Sequence, residues 1–364
     1  MALRCGIVGL PNVGKSTIFN ALTAAGARVE NFEFCTIEPN EGVVVVPDPR
    51  MDRLAEILPH ERLRRTTLEF VDVAGLVEGA AREGRGRGAE FLSHVRATDT
   101  LVHVVRCFED PDVVCSHATL DPVQDAGIVN LELLLSDMEL VERGMDKLHK
   151  LARVGDKAAG AELEALSLLL GAMDDGAFVR TLPEDMQAAA ADLALLTAKP
   201  MLYVANLSEE QLAGSPKLEA LSSLAEQEGT SVVPICGDME AEIALLEEVE
   251  ERRAFLADLG LDRSGLDRLV EAAYRLSGLI TFYTAVGGKE IGSWTLQQGQ
   301  TAQQAAGKIH SDMARGFIRA EVVSFDDLVR LGSEAAARQA GLVRVEGRDY
   351  LVRDGDVIHF RFNV

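Results

Sequence analysis

The sequence is poor in the features that mark secreted, metal-stapled or membrane-spanning proteins. No apolar run approaches the roughly 18 residues that a membrane span requires. The five cysteines (Cys5, Cys35, Cys107, Cys115 and Cys236) are odd in number, scattered and without CxxC spacing. This argues against a disulfide framework or a zinc site and for a reducing compartment. The first strand is expected almost at Met1, which leaves no room for a secretory signal, so a cytoplasmic location is expected. Basic residues are also short: 36 Lys and Arg stand against 58 Asp and Glu, a formal charge of −22. Such a balance argues against non-specific coating of nucleic acid but leaves room for a locally basic face. What is present is ordinary for a globular protein with real cores, 47% hydrophobic and 26% charged residues. At 364 residues, two or three domains are expected.

Apolar runs of strand length occur at Cys5–Val8, Val43–Val46, Leu68–Val71, Leu101–Val105, Met201–Ala205 and Ser231–Ile235. Runs without polar alternation suit strands covered on both faces. Helical segments such as Ser16–Ala25 and Gly88–Arg96 fall between them, which predicts a doubly wound α/β domain with a mostly parallel sheet. Leu131, Leu134, Met138, Val141, Met145, Leu148 and Ala152 then form an apolar heptad seam. Gly155-Asp156 breaks it, Leu163, Leu166, Leu170 and Met173 predict a returning helix, and a third helix is expected near Pro183. A hairpin packed on itself and a partner-binding arm are the two readings of this insertion. From Gly278, strands are expected over Leu279–Ala285, Ile291–Leu296 and Ile318–Phe325, with a helix over Asp326–Ala340. Thr301 and Gln304 form a capping box, and Leu351–Val364 reads as a hairpin turning at Asp354-Gly355.

Gly9-Leu10-Pro11-Asn12-Val13-Gly14-Lys15-Ser16 sits between the first strand and a helix, the context that a phosphate-binding loop requires. Gly9 and Gly14 let backbone N–H groups turn inward, and the helix N-terminus adds positive potential. Main chain from Asn12, Val13 and Gly14 to Lys15, Ser16 and Thr17 should surround the phosphates. Lys15 should reach the β- and γ-phosphates, the Ser16 hydroxyl should coordinate Mg²⁺, and Thr17 is placed for the α-phosphate. Asp72-Val73-Ala74-Gly75 ends a strand, so Asp72 should face Mg²⁺ and the Gly75 N–H can approach the γ-phosphate. Lys15 and Gly75 are candidate catalytic groups.

Base recognition departs from the guanine pattern. Guanine-specific sites carry Asn-Lys-x-Asp, whereas Met201–Ala205 is followed here by Asn206-Leu207-Ser208-Glu209. A carboxylate displaced by one methylene cannot hold the same two-pronged geometry, and mispaired polar groups can cost roughly 10⁴-fold in discrimination. The segment disfavours guanine, and adenine, with opposite polarity at N1 and N6, becomes a plausible base.

Together GLPNVGKST, NFEFCTIEPN, DVAGLVEGA, HVVRCFED, NLSE and GKIHSDMARGFIRAE resemble the Obg-like ATPase family, in its YchF subfamily, over essentially the whole chain. The resemblance implies a P-loop G-type domain (1–130 and 199–277), an inserted helical coiled-coil domain (131–198) and a C-terminal α+β TGS domain of β-grasp type (278–364). It implies ATP preferred over GTP, with Asn206, main-chain Leu207 and Glu209 around the base, and Mg²⁺ between Ser16 and Thr36. Asn12, a third candidate catalytic group on this resemblance, matches an asparagine that coordinates K⁺ in some relatives; a K⁺ ligand and a purely structural loop residue are its two readings. Leu76 stands where Ras-like proteins place a water-orienting Gln, so intrinsic hydrolysis should be slow. Cys115 stands where relatives have a loop histidine, with His117 two residues on. Gly84-Arg85-Gly86-Arg87-Gly88 reads as a switch loop or an RNA contact. The TGS resemblance rests on Thr281–Ala285 and Lys308–Glu321, and Lys308, His310, Arg315 and Arg319 could present a basic face to RNA or the ribosome. Nothing demands more than a monomer. An ATPase that switches affinity for a ribosomal partner, an Obg-type GTPase and a nucleotide-dependent binding module are the competing functions.

Overall fold

A computed structural model describes residues 3–29, 40–73, 87–111, 120–246, 248–286 and 289–363, with the side chains of 26–29, 87–90, 249 and 286 excepted. Two compact units emerge: Met1–Val44 with Glu69–Ala273, and Val45–Leu68 with Tyr274–Val364. The first seven strands are β1 (Arg4–Val8), β2 (Glu41–Val45), β3 (Arg62–Arg64), β4 (Thr67–Asp72), β5 (Thr100–Arg106), β6 (Met201–Asn206) and β7 (Val232–Ile235). All but β3 form one sheet in the order β2-β4-β1-β5-β6-β7, and β4, β1, β5, β6 and β7 pair in parallel.

Every residue of β5 and β6 is buried, as uninterrupted apolar runs demand of strands covered on both faces. Parallel pairing also brings the carboxyl ends of β1, β4, β5 and β6 to one sheet edge. Gly9, Asp72, Cys107 and Asn206 therefore converge there, where open α/β sheets hold ligands. The register places Ile7 beside Asp72 and Arg106 beside Asn206.

The helical insertion begins earlier than position 131. Asp121 caps a 32-residue helix, Pro122–Arg153, accepting from the N–H groups of Val123 and Gln124, with Pro122 in the first turn. Its first turns bury Ala126, Val129, Asn130 and Leu133, so it grows continuously out of the α/β layer. Leu131 is 53% exposed and lies off the seam. Beyond it Leu134, Met138, Val141, Met145 and Leu148 pack with Leu166, Leu169, Leu170 and Met173 of the returning helix Lys157–Asp174. A short helix, Glu184–Ala189, follows Pro183.

The second unit holds β8 (Leu279–Val286), β9 (Glu290–Gln297), β10 (Phe317–Ser324), β11 (Arg344–Glu346) and β12 (Asp356–Phe362). With β3 they make a mixed sheet in the order β11-β10-β12-β8-β9-β3. Residues 45–68, expected in the nucleotide domain, thus belong here. β3 pairs in parallel with β9, and Met51, Leu54 and Leu58 of the preceding segment share a core with Tyr283, Ile291, Val323 and Val357. Arg50 adds ion pairs to Asp48 and Asp354. No local signal marks such pairing, because it joins residues more than 200 positions apart.

Two other expectations change. The helix over 326–340 is two helices, Phe325–Leu331 and Glu334–Gln339, because Gly332 adopts φ +74° as a left-handed C-cap. The expected closing hairpin is one strand: β12 leaves the Asp354-Gly355 turn, then pairs antiparallel with β10 and parallel with β8. Leu351 makes only an isolated bridge to Thr301. The Thr301/Gln304 capping box is present. No helix among the described residues is long and apolar enough to cross a membrane.

Candidate nucleotide-binding site

The phosphate-binding loop is shaped by backbone that few residues tolerate. Gly9 adopts φ +152° and Gly14 φ +93°. A Cβ at Gly9 would meet the Val104 carbonyl oxygen at 2.4 Å, and one at Gly14 would meet Asn206 Nδ2 at 2.2 Å. Both positions therefore exclude side chains on conformation and on space. Asn12 sits at φ +62°, a region that asparagine enters more readily than other side chains, and is exposed. Val13 is buried, and the Ile18 N–H donates to the Gly14 carbonyl at 3.0 Å, locking loop to helix.

Lys15 is 7% exposed and donates from Nζ to the Leu10 carbonyl at 2.7 Å. Burial lowers its pKa to about 8, opposed by the charge of Asp72. The ammonium is thus held inside the loop by one carbonyl, a bond that an incoming phosphate can replace with a stronger charge-assisted one. The Ser16 hydroxyl is exposed and donates to Asp72 Oδ2 at 2.9 Å, while Asp72 Oδ1 is buried with no protein partner. A serine hydroxyl beside a half-buried carboxylate with one unpaired oxygen fits Mg²⁺, which takes few protein oxygens and completes its shell with water and phosphate. Thr17 is half-buried in the first helical turn.

Asn206 acts as a brace. It is 4% exposed; Nδ2 donates to the Val13 carbonyl at 2.9 Å, and Oδ1 accepts from the Gly237 N–H at 3.0 Å. One amide thereby ties the phosphate loop to the segment after β7. Leu207 is buried, and its N–H donates to the Ile235 carbonyl at 2.8 Å. Ser208 and Gln211 form a capping box around a 3₁₀ turn, Glu209–Gln211, which leaves Glu209 exposed at the rim. Structure therefore brings Asn12, Val13, Gly14, Lys15, Ser16 and Asp72 to one end of the sheet with Asn206 behind them. Thr36, Gly75, Leu76, Cys115 and His117 lie outside the described residues, as does Gly84-Arg85-Gly86.

Several participating residues were not singled out from sequence. Gly237 supplies the N–H that completes the Asn206 bridge, and Cys236 beside it has its thiol pKa raised by burial. Arg106, 3% exposed, donates to the carbonyls of Phe108 and Asp110, both at 3.1 Å, and so shapes the loop after β5. His103 is buried 5.1 Å from the Tyr203 ring, and desolvation lowers its pKa to about 3, leaving it neutral. Arg96 ends helix Arg87–Arg96 and donates to Ser136 Oγ at 2.8 Å and the Ala194 carbonyl at 3.2 Å. The fully buried Asp137 accepts there from the N–H groups of Leu196 and Thr197, at 2.9 and 2.7 Å, and lies 3.5 Å from Arg96. These side chains join the helix that follows the Asp72 segment to the root of the insertion. A buried carboxylate signals such a role only after its partners are known.

Comparison with known proteins agrees with this architecture. Residues 4–134 match the 50S ribosome-binding GTPase family, and residues 279–363 match the YchF GTPase C-terminal family, described as a protein of unknown function. The chain is 50% identical to the ribosome-binding ATPase YchF of Haemophilus ducreyi and 48% identical to that of Bacillus subtilis, each over 100% of both chains. The solved structure of the Schizosaccharomyces pombe YchF GTPase matches with a TM-score of 0.89 and 33% identity, covering 99% of this chain and 97% of that one. A phosphate loop in this geometry and full-length similarity at such identity have one consequence: the chain is a P-loop nucleotide hydrolase and belongs to the YchF family.

Proposed function

We propose that this protein is a slow, Mg²⁺-dependent ATPase whose nucleotide state regulates binding to the ribosome. The observation that carries ATP over GTP is the Asn206–Glu209 segment. Asn206 commits one N–H and one lone pair to internal hydrogen bonds, Leu207 is buried where guanine sites carry lysine, and the carboxylate of Glu209 sits on an exposed turn. Nothing in that arrangement reproduces the paired acceptors that guanine requires. Main-chain groups at Leu207 and the rim carboxylate suit the opposite polarity of adenine.

In the reaction, Lys15 exchanges the Leu10 carbonyl for the β- and γ-phosphate oxygens. Main-chain N–H groups from Asn12 to Thr17 hold the chain of phosphates, and the Gly75 N–H meets the γ-phosphate. Ser16, Thr36 and Asp72 would hold Mg²⁺, which supplies neutralising charge to the phosphates when bound. Leu76, in place of a water-orienting glutamine, cannot itself position or polarise water. Turnover is then slow until another group completes the site. Asn12, exposed on the loop with left-handed backbone, is a candidate K⁺ ligand for that task.

Ribosome binding is inferred from the names of full-length relatives, ribosome-binding ATPases at 48 and 50% identity. The second unit, of TGS type, and the helical insertion are the surfaces assigned to it, acting in the cytoplasm on a monomeric chain. A GTPase is the second reading, favoured by the name of the matching Schizosaccharomyces pombe protein. Calorimetry with ATP and GTP separates them: ATP is expected to bind at least tenfold tighter, and equal or tighter GTP binding overturns the proposal. Turnover with and without ribosomes, in K⁺ and in Na⁺, tests the regulated-switch reading. Rates identical under all four conditions would leave only a nucleotide-dependent binding module.

A further inference from the structure

Glu321 on β10 carries a cluster of arginines that the nucleotide site does not use. Its carboxylate lies 2.8 Å from Arg338, 3.1 Å from Arg361 and 3.5 Å from Arg319. Glu321 is only 7% exposed, while the three arginine side chains are 49, 47 and 52% exposed. The guanidinium groups themselves cover the carboxylate and hold its pKa down to about 2. Arg319 and Arg361 stand directly opposite one another on the antiparallel strands β10 and β12. Like charges so placed repel across a ladder, and the Glu321 carboxylate between them offsets that repulsion only in part. Burial together with Arg361 lowers the pKa of the neighbouring His359, opposed by Glu321 and Glu334. Three guanidinium groups therefore gather on one carboxylate, in a chain of formal charge −22.

The cluster is also open. The other end of this sheet face is covered, with Val323, Val357 and Tyr283 sharing a core with Ala337 of helix Glu334–Gln339. At the arginine end Val345, opposite Glu321 on β11, is 67% exposed. Of the basic residues expected on this unit, only Arg319 takes part. Arg315 is paired with Asp312 at 2.5 Å, and His310 accepts from the Asp312 N–H at the start of its short helix.

We propose that Arg319, Arg338 and Arg361 form a docking surface for the phosphodiester backbone of folded RNA. This rests on the reading of the protein as ribosome-binding. Each guanidinium carries five N–H donors; Glu321 engages one of those on Arg338 and two on Arg361, and stands in an ion pair with Arg319 at 3.5 Å. The remainder form forks that match phosphate oxygens. Because Glu321 already holds Arg338 and Arg361 by hydrogen bonds, those two have less side-chain entropy left to lose on binding. Acidic protein surfaces offer carboxylates without the regular spacing of a phosphate chain.

Bacterial ribosomes and deproteinised ribosomal RNA serve as the two probes, each titrated with the full chain from about 50 to about 200 mM KCl. Replacing Arg319 and Arg361 together by Gln is expected to weaken both complexes about tenfold at the upper salt and to reduce the salt slope by up to about 2. Replacing both by Lys should keep the slope and weaken binding only a few-fold. ATP turnover of both variants should match the unaltered protein, and thermal unfolding of the Lys variant should stay close to it, while the Gln variant loses a little stability with the ion pairs to Glu321. Equal capture of ribosomes by the unaltered protein and the Gln variant overturns the proposal while leaving ribosome binding standing. Failure of the unaltered protein to bind ribosomes overturns that prior reading instead. A Gln variant that loses ribosomes but shows no difference on naked RNA marks an acidic protein partner and also overturns the proposal.

Discussion

Two glutamates show how differently the two units use charge. Glu240 in the first unit is fully buried; it accepts from the Gly265 N–H at the start of helix Gly265–Leu276, and its Oε2 has no partner. Burial raises its pKa to about 7. Glu321 in the second unit is paired with guanidinium groups, and they lower its pKa to about 2. In the first unit, polar groups are committed to partners inside the protein: Asn206, Asp137 and Lys15 all bond main-chain atoms. In the second, an excess of one sign is left at the surface. Internal commitment builds a rigid nucleotide edge whose loss shows as stability or turnover. Surface excess should show as affinity for a partner.

The largest expected effect tests the first half of that contrast. Lys15→Ala should reduce phosphate release by about 10²–10³-fold or more, since it removes a charge aimed at the transferring group. Undiminished turnover would remove the loop from the reaction.

Asp137→Ala should destabilise the first unit by about 3–5 kcal/mol, because it leaves two main-chain donors and Arg96 without their carboxylate. Urea unfolding measures it, and a loss below about 1 kcal/mol would place this carboxylate with the surface pairs. Asn206→Ala is expected to cost about 1–3 kcal/mol and to weaken nucleotide binding at least tenfold, since the Val13 carbonyl and Gly237 N–H both lose their partner. Calorimetry that finds unaltered affinity would mean the brace is irrelevant to the loop.

The pH dependence should differ in sign between the glutamates. Glu240 has its pKa raised from 4.5 to about 7. Its contribution is fully present below 4.5 and lost as pH rises through about 7. Hydrogen exchange in helix Gly265–Leu276, corrected for intrinsic rates, should therefore quicken between pH 5 and pH 8, and Glu240→Gln should flatten the profile. Glu321, lowered from 4.5 to about 2, stabilises above 4.5 and loses its contribution as pH falls toward 2. Glu321→Gln should have the smallest effect, a change at neutral pH that vanishes in acid; an effect growing in acid would reverse the assignment.

Most of the nucleotide edge was legible because its physics is local. A phosphate loop needs glycines at fixed offsets, a lysine and a hydroxyl on one helical turn, and a strand before it. Gly9, Gly14, Lys15 and Ser16 satisfy those needs within eight residues. Asp72 was readable as a strand-end carboxylate, and its contact with Ser16 follows from parallel pairing of β1 with β4. Asn206 was legible as a motif residue, but its two bonds to Val13 and Gly237 were not, since they depend on where three loops meet. The heptad seam was readable from Leu134 onward and misread at Leu131, where the helix leaves the α/β layer and faces a different neighbour.

By itself, then, the sequence determined the elements, their α/β alternation, the phosphate loop and the departure from guanine chemistry. Each of these follows from periodicity or side-chain type over a few residues. Only tertiary structure decided that residues 45–68 leave the nucleotide unit to pair with β9, and that β12 is inserted between β10 and β8. Only there do Arg319, Arg338 and Arg361 meet around one carboxylate. Those outcomes depend on strand register and on contacts between distant segments, whose free energy is not carried by any one stretch of chain.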